Sequence, residues 1–311
     1  MCYCACFSHT IVSILGFNSP SQSSHVKCIE RERQALLNFK KKSKISQSIS
    51  VGFGGRIPHQ PGNLSKLEYL DLKINSLDGA IPSQLGKLTS LRYLDLSHNY
   101  RIHGEIPYQL GYLSQLRYPA LQKISLSGVI PFQFLIPSLI SQISWMNMSY
   151  NSLKEKIPQS MCTLVELEAL VQRNNNLSGE LPLTLKNCSS LVILDVGENL
   201  LSGPVPSWIG ESLQQLKILS LRVNNFFGSI PLHLCYLSQI HLLDLSRNHL
   251  SGGIPTCLSN FTAMTDRSVI PRELIRIRKI SPLVTYYNIY DTNVFLTWKG
   301  QEHMFLNPSI F

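Results

Sequence analysis

Hydrophobic residues return at a regular interval along most of the chain. Counting from one apolar residue in each unit, the units begin 24 to 27 residues apart, at Leu67, Leu91, Leu116, Ile143, Leu167, Leu191, Leu216 and Ile240. Within a unit, apolar residues stand at offsets 0, 3, 5, 10 and 14 from this start. One unit cannot bury its own apolar side, so the units must stack and share a core. We therefore expect one short strand at the start of each unit.

Three further positions of the repeat keep their residue type, while the residues between them vary. Glycine recurs at offset 12 and suits a turn with unusual backbone angles, and the Ile-Pro pair that follows favours a rigid extended segment. An asparagine amide at offset 8 is suited to bond backbone groups where each strand bends away. These asparagines are Asn75, Asn99, Asn151, Asn175, Asn199, Asn224 and Asn248. We interpret all of these residues as scaffold.

The repeated pattern, LxxLxLxxNxLxGxIPxxL, is typical of leucine-rich repeats. It predicts an α/β solenoid, a right-handed superhelix with short parallel strands on its concave face. About eight units and a partial one, which contains "GGRIPHQPGNLSK", occupy residues 51–263.

One unit departs from the pattern. The unit that starts at Leu116 has Pro119 at a core strand position, Ile124 in place of asparagine, and three extra residues. Because proline cannot donate to a strand ladder, we expect a kink or disorder within 119–142. Gln172 is a smaller departure, since it stands at an apolar offset of its own unit.

The wording of the repeats, "LSGxIPxxLGxLxxL", resembles the extracellular leucine-rich repeats of plants. The stretch "CIERERQALLNFK" at 28–40 resembles the N-terminal cap helix of plant receptor-like proteins, and "LTWKGQEHMF" at 296–305 resembles the end of the island in their repeats. The domains expected are a leader that matches a signal peptide poorly at 1–26, a cap-helix remnant at 27–50, the repeats at 51–263, and a truncated island at 264–311.

This resemblance implies the ectodomain of a receptor-like protein that recognises a peptide, protein or microbial ligand in defence or developmental signalling. It also implies a co-receptor kinase as partner, passage through the secretory pathway, and a place at the extracellular face of the plasma membrane. The family's Trp-bearing cap segment with its further cysteines has no match here, which leaves Cys28 without its expected partner. The later repeats, acidic spacer and membrane helix of the family have no match either, so the chain looks like a truncated or internally deleted copy.

Composition and charge exclude some other classes. Apolar residues make up 44% of the chain and charged residues 15%, which is typical of a folded protein. Much of the net charge of +9 comes from residues 27–44, with seven Lys or Arg against two Glu. Basic residues are not arranged in a stripe with aromatic residues, so we expect no nucleic-acid binding. No run of eighteen apolar residues occurs, so we expect no membrane span in this chain.

Two cysteine pairs fall on neighbouring units at similar offsets, Cys235 with Cys257 and Cys162 with Cys188. Disulfides there would close loops of about 20–25 residues and stabilise the fold by about 3 kcal/mol. The alternative is that these cysteines are small apolar fillers in a reduced compartment. Their spacing does not fit a zinc site, and no metal or cofactor is expected.

Five N-x-S/T sequons favour a secreted glycoprotein. They are Asn63, Asn147, Asn176, Asn187 and Asn260. Asn147 falls on the strand face, where a glycan would block a binding surface, so we expect it to be used least.

Ligand binding is expected on the concave face, where offsets 2, 4, 6 and 7 should be solvent-exposed. Offset 2 gives an aromatic column of Tyr69, Tyr93, Tyr118 and Trp145. Offsets 6 and 7 add Lys73, His98, Tyr150, Arg173, Arg222 and Arg247. Aromatic residues and arginine commonly anchor interfaces. The alternative is that the aromatic residues cover the strand flank and that aspartate at offset 4 is part of the repeat.

No arrangement of residues suggests catalysis, because the nine histidines are scattered and none pairs with a nucleophile. We therefore predict a non-enzymatic recognition module. The alternatives are a soluble inhibitor of microbial cell-wall-degrading enzymes and a truncated copy without function. The island is a second candidate for binding, or else a linker.

Overall fold

A computed structural model describes residues 2–4, 54–57, 59, 67–132, 142–164, 166–261, 276–281, 284–288, 294–298 and 301–305. The chain divides into two compact units, Met1–Ser259 and Asn260–Phe311. The predicted cap helix at 27–50 and the sequon at Asn63 lie outside the described residues.

The first unit is built on two parallel sheets of nine strands each. The primary sheet contains the strand that opens each repeat, and its neighbours pair in sequence order. Its strands are β1 Cys2–Cys4, β3 Leu67–Asp71, β5 Tyr93–Asp95, β7 Tyr118–Ala120, β9 Trp145–Asn147, β11 Ala169–Val171, β13 Ile193–Asp195, β15 Ile218–Ser220 and β17 Leu242–Asp244. This order of short parallel strands confirms the predicted leucine-rich-repeat solenoid.

The secondary sheet lies later in each repeat, where the sequence reads "LxG". Its strands are β2 Gly54–Arg56, β4 Ser76–Gly79, β6 Arg101–Glu105, β8 Ser125–Gly128, β10 Ser152–Glu155, β12 Asn176–Gly179, β14 Leu200–Pro204, β16 Asn225–Ser229 and β18 His249–Ser251. Eight of these strands contain a residue with positive φ, and in the ninth, β18, Gly252 follows the strand; the residue is glycine except at Glu155, with φ 67°. The expectation that glycine serves unusual backbone angles is therefore confirmed, and Glu155 adopts a conformation that is costly for a residue with a Cβ.

In most repeats a short helical turn follows the proline after the secondary-sheet strand and returns the chain towards the primary sheet. The 3₁₀ turns are Ser83–Lys87, Tyr108–Tyr112, Gln159–Thr163, Leu183–Asn187, Leu232–Tyr236 and Thr256–Asn260. One α-helix, α1, spans Trp208–Ser212. Many leucines of the turns and of both sheets are fully buried, including Leu85, Leu94 and Leu77.

The asparagines at offset 8 join neighbouring coils. The Nδ2 of Asn199 donates to the carbonyl of Val196 in its own coil and to that of Gln172 in the preceding coil, each at 3.0 Å. Its Oδ1 accepts the N–H of Leu177 in the preceding coil at 3.0 Å. Asn99, Asn151, Asn175, Asn224 and Asn248 bond in the same way. The predicted role of these amides is confirmed, and we call the series the asparagine ladder.

The unit with Pro119 keeps its strand. Strand β7 pairs in register with β5 at three positions, including Leu94 with Pro119. Among the described residues, β7 pairs with β9 only at Ala120 and Asn147, because proline has no N–H to donate. The predicted disorder is therefore wrong for this strand, while residues 133–141 lie outside the description.

The preceding coil compensates for the absence of an asparagine at position 124. That coil is one residue longer, and the N–H of Ile102 bonds the carbonyl of Asn99 in its own coil at 2.9 Å. In other coils the corresponding N–H bonds the next coil's asparagine, as Leu177 bonds Asn199. Ile124 itself is buried in the core.

Gln172 occupies a core position with its whole side chain buried. Within the described part of the chain, neither its Oε1 nor its Nε2 has a hydrogen-bond partner. A buried, unpaired amide destabilises a fold, so this position is a local weakness of the core.

The second unit contains two antiparallel hairpins. Strands β19 Arg276–Ser281 and β20 Val284–Asn288 form the first hairpin, and β21 Val294–Trp298 and β22 Gln301–Phe305 form the second. These hairpins lie within the predicted island and differ from the parallel pairing of the repeats.

Candidate functional site

The aromatic column at offset 2 is buried, so the prediction that it is solvent-exposed is wrong. Tyr69, Tyr93, Tyr118 and Trp145 are between 0% and 8% exposed. Adjacent strands bring the rings together, and Tyr69 stacks on Tyr93 with ring centroids 4.3 Å apart. The Tyr93 and Tyr118 centroids are 6.3 Å apart, and all three tyrosines have further interaction partners. A part for these rings in ligand binding stays a prediction.

Aspartates at offset 4 lie beside these rings and are also buried. The hydroxyl of Tyr93 donates to Asp95 at 2.9 Å, and the hydroxyl and N–H of Ser97 donate to the other carboxylate oxygen. Lys73 Nζ lies 3.4 Å from Asp71 and 4.0 Å from Asp95. Burial and the neighbouring Asp71 raise the pKa of Asp95, although the Ser97 bonds and Lys73 act in the opposite direction.

A row of residues immediately before the asparagine ladder has left-handed backbone geometry. We call this row the ridge; its φ values lie between 51° and 58°. It consists of Ile74, His98, Lys123, Tyr150, Asn174, Glu198, Val223 and Arg247. Few residues other than glycine adopt this geometry, so its recurrence in eight coils shows that the coil imposes it. The ridge therefore presents eight different side chains from one repeated backbone shape.

The middle of the ridge combines positive charge with an aromatic ring. Lys123 Nζ lies 5.2 Å from the centroid of the Tyr150 ring, within the range of a cation–π contact. His98 Nδ1 is 3.3 Å from the hydroxyl of Tyr100. Burial, followed by Lys123 and Lys73, lowers the pKa of His98. Both lysines therefore disfavour the protonated imidazole, which is neutral at neutral pH.

An ion pair occupies the next part of the ridge. Arg173 Nε donates to Glu198 Oε1 at 3.1 Å, and Asn174 Nδ2 donates to Glu198 Oε2 at 2.8 Å. Burial opposes ionisation of Glu198, but the bonds from Asn174 and Arg173 outweigh it and lower its pKa. Burial likewise disfavours the charge of Arg173, whereas Asp195 and Glu198 raise its pKa overall. Both groups are therefore charged at neutral pH.

The remaining predicted site residues differ in accessibility. Arg222 is buried and donates to the hydroxyl of Ser246 at 2.8 Å, whereas Arg247 and Tyr150 are exposed. Lys73 and His98 are half-buried. The predicted site omits Lys123 and Glu198, although both stand at offset 7 and are charged. A charged residue at offset 7, one position before the offset of the repeat's asparagine, is the signal that identifies them.

One of the two predicted disulfides is confirmed. Cys235 and Cys257 are bonded, with their Cα atoms 5.8 Å apart. Cys188 is buried, but the side chain of Cys162 lies outside the described residues, so the second bridge stays a prediction.

The predicted glycosylation sites lie in different surroundings. Asn176 and Asn187 are exposed, on β12 and at the end of a 3₁₀ turn. Asn147 is half-buried, and its Oδ1 accepts the N–H and hydroxyl of Ser149 at 3.0 and 2.7 Å. The side chain of Asn260 is outside the description. Use of these sites stays a prediction.

The described residues were compared with what a metal site and a membrane-spanning helix require. Across the described residues, no three His, Cys, Asp or Glu side chains are grouped as a metal ion needs. No helix in the same part of the chain is both long and apolar enough to cross a bilayer.

Comparison with known sequences agrees with the coil geometry. Models of the leucine-rich repeat match residues 58–100, 90–113 and 239–261. Receptor-like protein kinase 7 of Arabidopsis thaliana is 41% identical over 75 residues, which are 24% of this chain and 8% of that protein. Receptor-like protein 31 of the same plant is 36% identical over 67 residues, 21% of this chain and 8% of that protein.

Solved structures extend the comparison over two thirds of the chain. A TDR receptor is 33% identical with a TM-score of 0.62, covering 66% of this chain and 34% of that one. Arabidopsis HAESA, solved with the peptide hormone IDA and the co-receptor SERK1, is 30% identical with a TM-score of 0.62, covering 68% and 35%. The peptide hormone receptor RGFR1, solved with RGF2, is 31% identical with a TM-score of 0.60, covering 68% and 37%. The chain thus spans about a third of each of these solved chains, and its fold is a leucine-rich-repeat solenoid similar to those of plant receptors.

Proposed function

We propose that the chain is a non-enzymatic recognition module that binds an extended peptide or protein segment across the primary sheet, with the ridge as its main contact. The observation that carries this proposal is the ridge itself. Eight coils hold eight different side chains in one backbone geometry. A segment that crosses the coils can be read one side chain at a time from such a row.

The chemistry of the ridge favours a ligand with an anionic group near its middle. Lys123 and Lys73 both act on His98, but Lys73 is paired with Asp71, so the positive charge available to a ligand there comes from Lys123. The adjacent Tyr150 ring is exposed and offers an aromatic surface beside the charge. Arg173 and Glu198 neutralise each other in the next coils, which leaves that part of the ridge suited to polar contacts.

The related ectodomains support the same mode of action. HAESA and RGFR1 were solved with peptide hormones, and HAESA also with a co-receptor. We therefore infer a role in cell-surface signalling, at the outer face of the plasma membrane, together with a co-receptor kinase.

A charge-reversal experiment tests the proposed surface. The full chain is applied to an immobilised array of synthetic peptides, half acidic and half neutral, and compared with Lys123→Glu and Lys186→Glu. Lys186 is an exposed lysine on a 3₁₀ turn and is the matched control. We expect Lys123→Glu to weaken binding of acidic peptides at least tenfold, with Lys186→Glu unchanged. Equal loss in both variants, or no loss in Lys123→Glu, would contradict the proposal.

The alternative, inhibition of a microbial cell-wall-degrading enzyme, is tested separately. Incubation of the full chain with fungal pectin-degrading enzymes should leave their activity unchanged if the chain is a signalling ectodomain. Inhibition that Lys123→Glu relieves would instead favour the inhibitor.

A further inference from the structure

Two exposed tyrosines lie on either side of Lys123 along the ridge. Tyr100, two residues after His98, is 67% exposed, and Tyr150 is 37% exposed. Lys123 belongs to the coil between theirs, since β7 lies between β5 and β9 in the primary sheet. We call Tyr100 and Tyr150 the ring pair. Both belong to interior coils of the solenoid.

Contacts within the protein hold both rings in place. The Tyr100 ring meets the His98 ring edge-on, with centroids 6.1 Å apart, and its hydroxyl lies 3.3 Å from His98 Nδ1. The carbonyl of Tyr100 accepts the hydroxyl of Ser125 in the next coil at 2.9 Å. Lys123 Nζ lies over the Tyr150 ring. Rings that are already positioned lose little freedom when a ligand binds, and tyrosine commonly anchors interfaces.

Backbone bonds fix the distance between the two coils that carry the ring pair. The N–H of His98 donates to the carbonyl of Gln122 at 3.1 Å, and that of Lys123 donates to the carbonyl of Ser149 at 3.0 Å. Consecutive coils therefore keep the strand spacing of about 4.8 Å at the ridge, and the two coils of the ring pair lie about 9.6 Å apart along the solenoid.

This distance matches one backbone conformation of a peptide better than another. A polyproline II segment has three residues per turn and rises about 3.1 Å per residue, so every third residue faces the same side about 9.3 Å further on. In an extended strand every second residue faces the same side, and a separation of about 6.7 Å matches neither one coil spacing nor two. Polyproline II segments also dock on surfaces lined with aromatic side chains.

We propose that the ring pair binds a ligand segment in polyproline II conformation, with prolines three residues apart on the two tyrosines and an acidic residue between them. Lys123 lies in the intervening coil, so its charge complements an acidic side chain at either position between the prolines. The inference rests on the proposed function, because it specifies which acidic peptides the ridge binds.

Two peptides of identical composition test the predicted spacing. One has Pro-Ala-Glu-Pro at its centre and the other Pro-Glu-Pro-Ala, between the same flanks, and fluorescence anisotropy measures their affinity for the full chain. The first peptide should bind more tightly by about fivefold or more, because only its prolines reach both rings. Tyr100→Ala should abolish this preference, whereas Lys123→Glu should weaken binding of both peptides.

The matched control is Tyr112→Ala. Tyr112 is also an exposed tyrosine in an edge-on ring contact, with Tyr108, but it lies on a 3₁₀ turn. This variant should keep both the affinity and the preference, and an unchanged urea midpoint verifies the fold of each variant.

The possible results separate this inference from the proposed function. Equal affinity for the two peptides, with binding that still depends on Lys123, would overturn the inference and leave the proposed function in place. Tighter binding of the second peptide, or equal loss of the preference in Tyr100→Ala and Tyr112→Ala, would overturn the inference too. Binding that Lys123→Glu does not weaken would overturn both.

Discussion

Replacement of Asn224 by alanine tests whether the asparagine ladder holds neighbouring coils together. The side chain is 5% exposed, and its Oδ1 accepts the N–H of Leu201 in the preceding coil at 2.9 Å. Its Nδ2 donates to the carbonyls of Val196, Leu221 and Arg222 at 3.0, 3.1 and 3.2 Å.

The expected loss follows from what each backbone group retains. The carbonyl of Val196 keeps a bond from Asn199, and that of Leu221 keeps one from Asn248, so neither is left unpaired. The buried N–H of Leu201 loses its partner in the next coil, which costs about 1–3 kcal/mol. Adding the weakened carbonyl contacts, we expect Asn224→Ala to lower the free energy of unfolding by about 3 kcal/mol.

Urea denaturation followed by circular dichroism measures this loss, and Asn225→Ala is the control. Asn225 is the next residue and is exposed on β16, so its removal should change stability by less than about 0.5 kcal/mol. Because coils interact only with neighbours, hydrogen exchange in Asn224→Ala should increase first in the strands after position 224. A loss below about 1 kcal/mol, or equal losses in the two variants, would refute a cross-coil role for the amide.

Five further substitutions should alter stability in urea. Gln172→Leu should raise the free energy of unfolding by about 2 kcal/mol because two unpaired buried amide atoms disappear; an unchanged value would mean that the amide is satisfied. Glu155→Gly should raise the free energy of unfolding by about 1 kcal/mol by relieving positive φ, and the reverse change Gly179→Glu should lower it; a fall for Glu155→Gly or a rise for Gly179→Glu would contradict this. Burial and a neighbouring carboxylate raise the pKa of Asp95, so its protonated form stabilises the fold and this contribution is lost as pH rises through the raised pKa. Asp95→Asn should therefore raise the urea midpoint at pH 7 and lose this advantage in acid. Cys235→Ser should lower the free energy of unfolding by about 3 kcal/mol. In this variant, a reductant should no longer cause the loss of stability that comes from breaking this disulfide.

The sequence predicted the parts of the coil that depend on one residue type. An amide both donates and accepts, so asparagine at offset 8 can join two coils, as Asn199 does. Glycine takes positive φ at little cost, so its recurrence indicated the turn in the secondary sheet. In both cases few other residue types could serve the same structural role, so their recurrence at a fixed spacing predicts that role.

The ridge geometry could not be predicted, because its residues share no chemistry. Ile74 and Val223 are β-branched and are among the residues least suited to left-handed geometry, yet they adopt φ 53° and 51°. The turn from each strand into the ladder fixes the backbone, and packing of the coils overrides the local preference. Only the position within the repeat identifies such a residue.

The buried aromatic column shows a second limit. Strand alternation correctly placed Tyr69 and Tyr93 on one side of the primary sheet, but alternation does not show how much neighbouring groups cover them. Stacking across adjacent strands and the hydroxyl bond to Asp95 remove part of each ring from solvent. The replacement of asparagine by Ile124 and the extra residue in the preceding coil likewise look independent in sequence. In the structure they are linked, because the longer coil lets the N–H of Ile102 bond the carbonyl of Asn99 instead of an asparagine at position 124.

Because the coil fixes the ridge backbone, binding and stability are separable at most of its positions. A change at Lys123 alters charge and the contact with Tyr150 without removing a bond of the ladder. A change at Asn224 should instead affect stability and not binding, since its amide is buried and bonds only backbone groups. A change at Tyr93 can affect both stability and binding, because its ring is packed in the primary sheet and its hydroxyl bonds Asp95 beside the ridge. Loss of binding in a Tyr93 variant is therefore evidence for a contact only if its urea midpoint is unchanged, whereas the same loss at Lys123 identifies the binding surface directly.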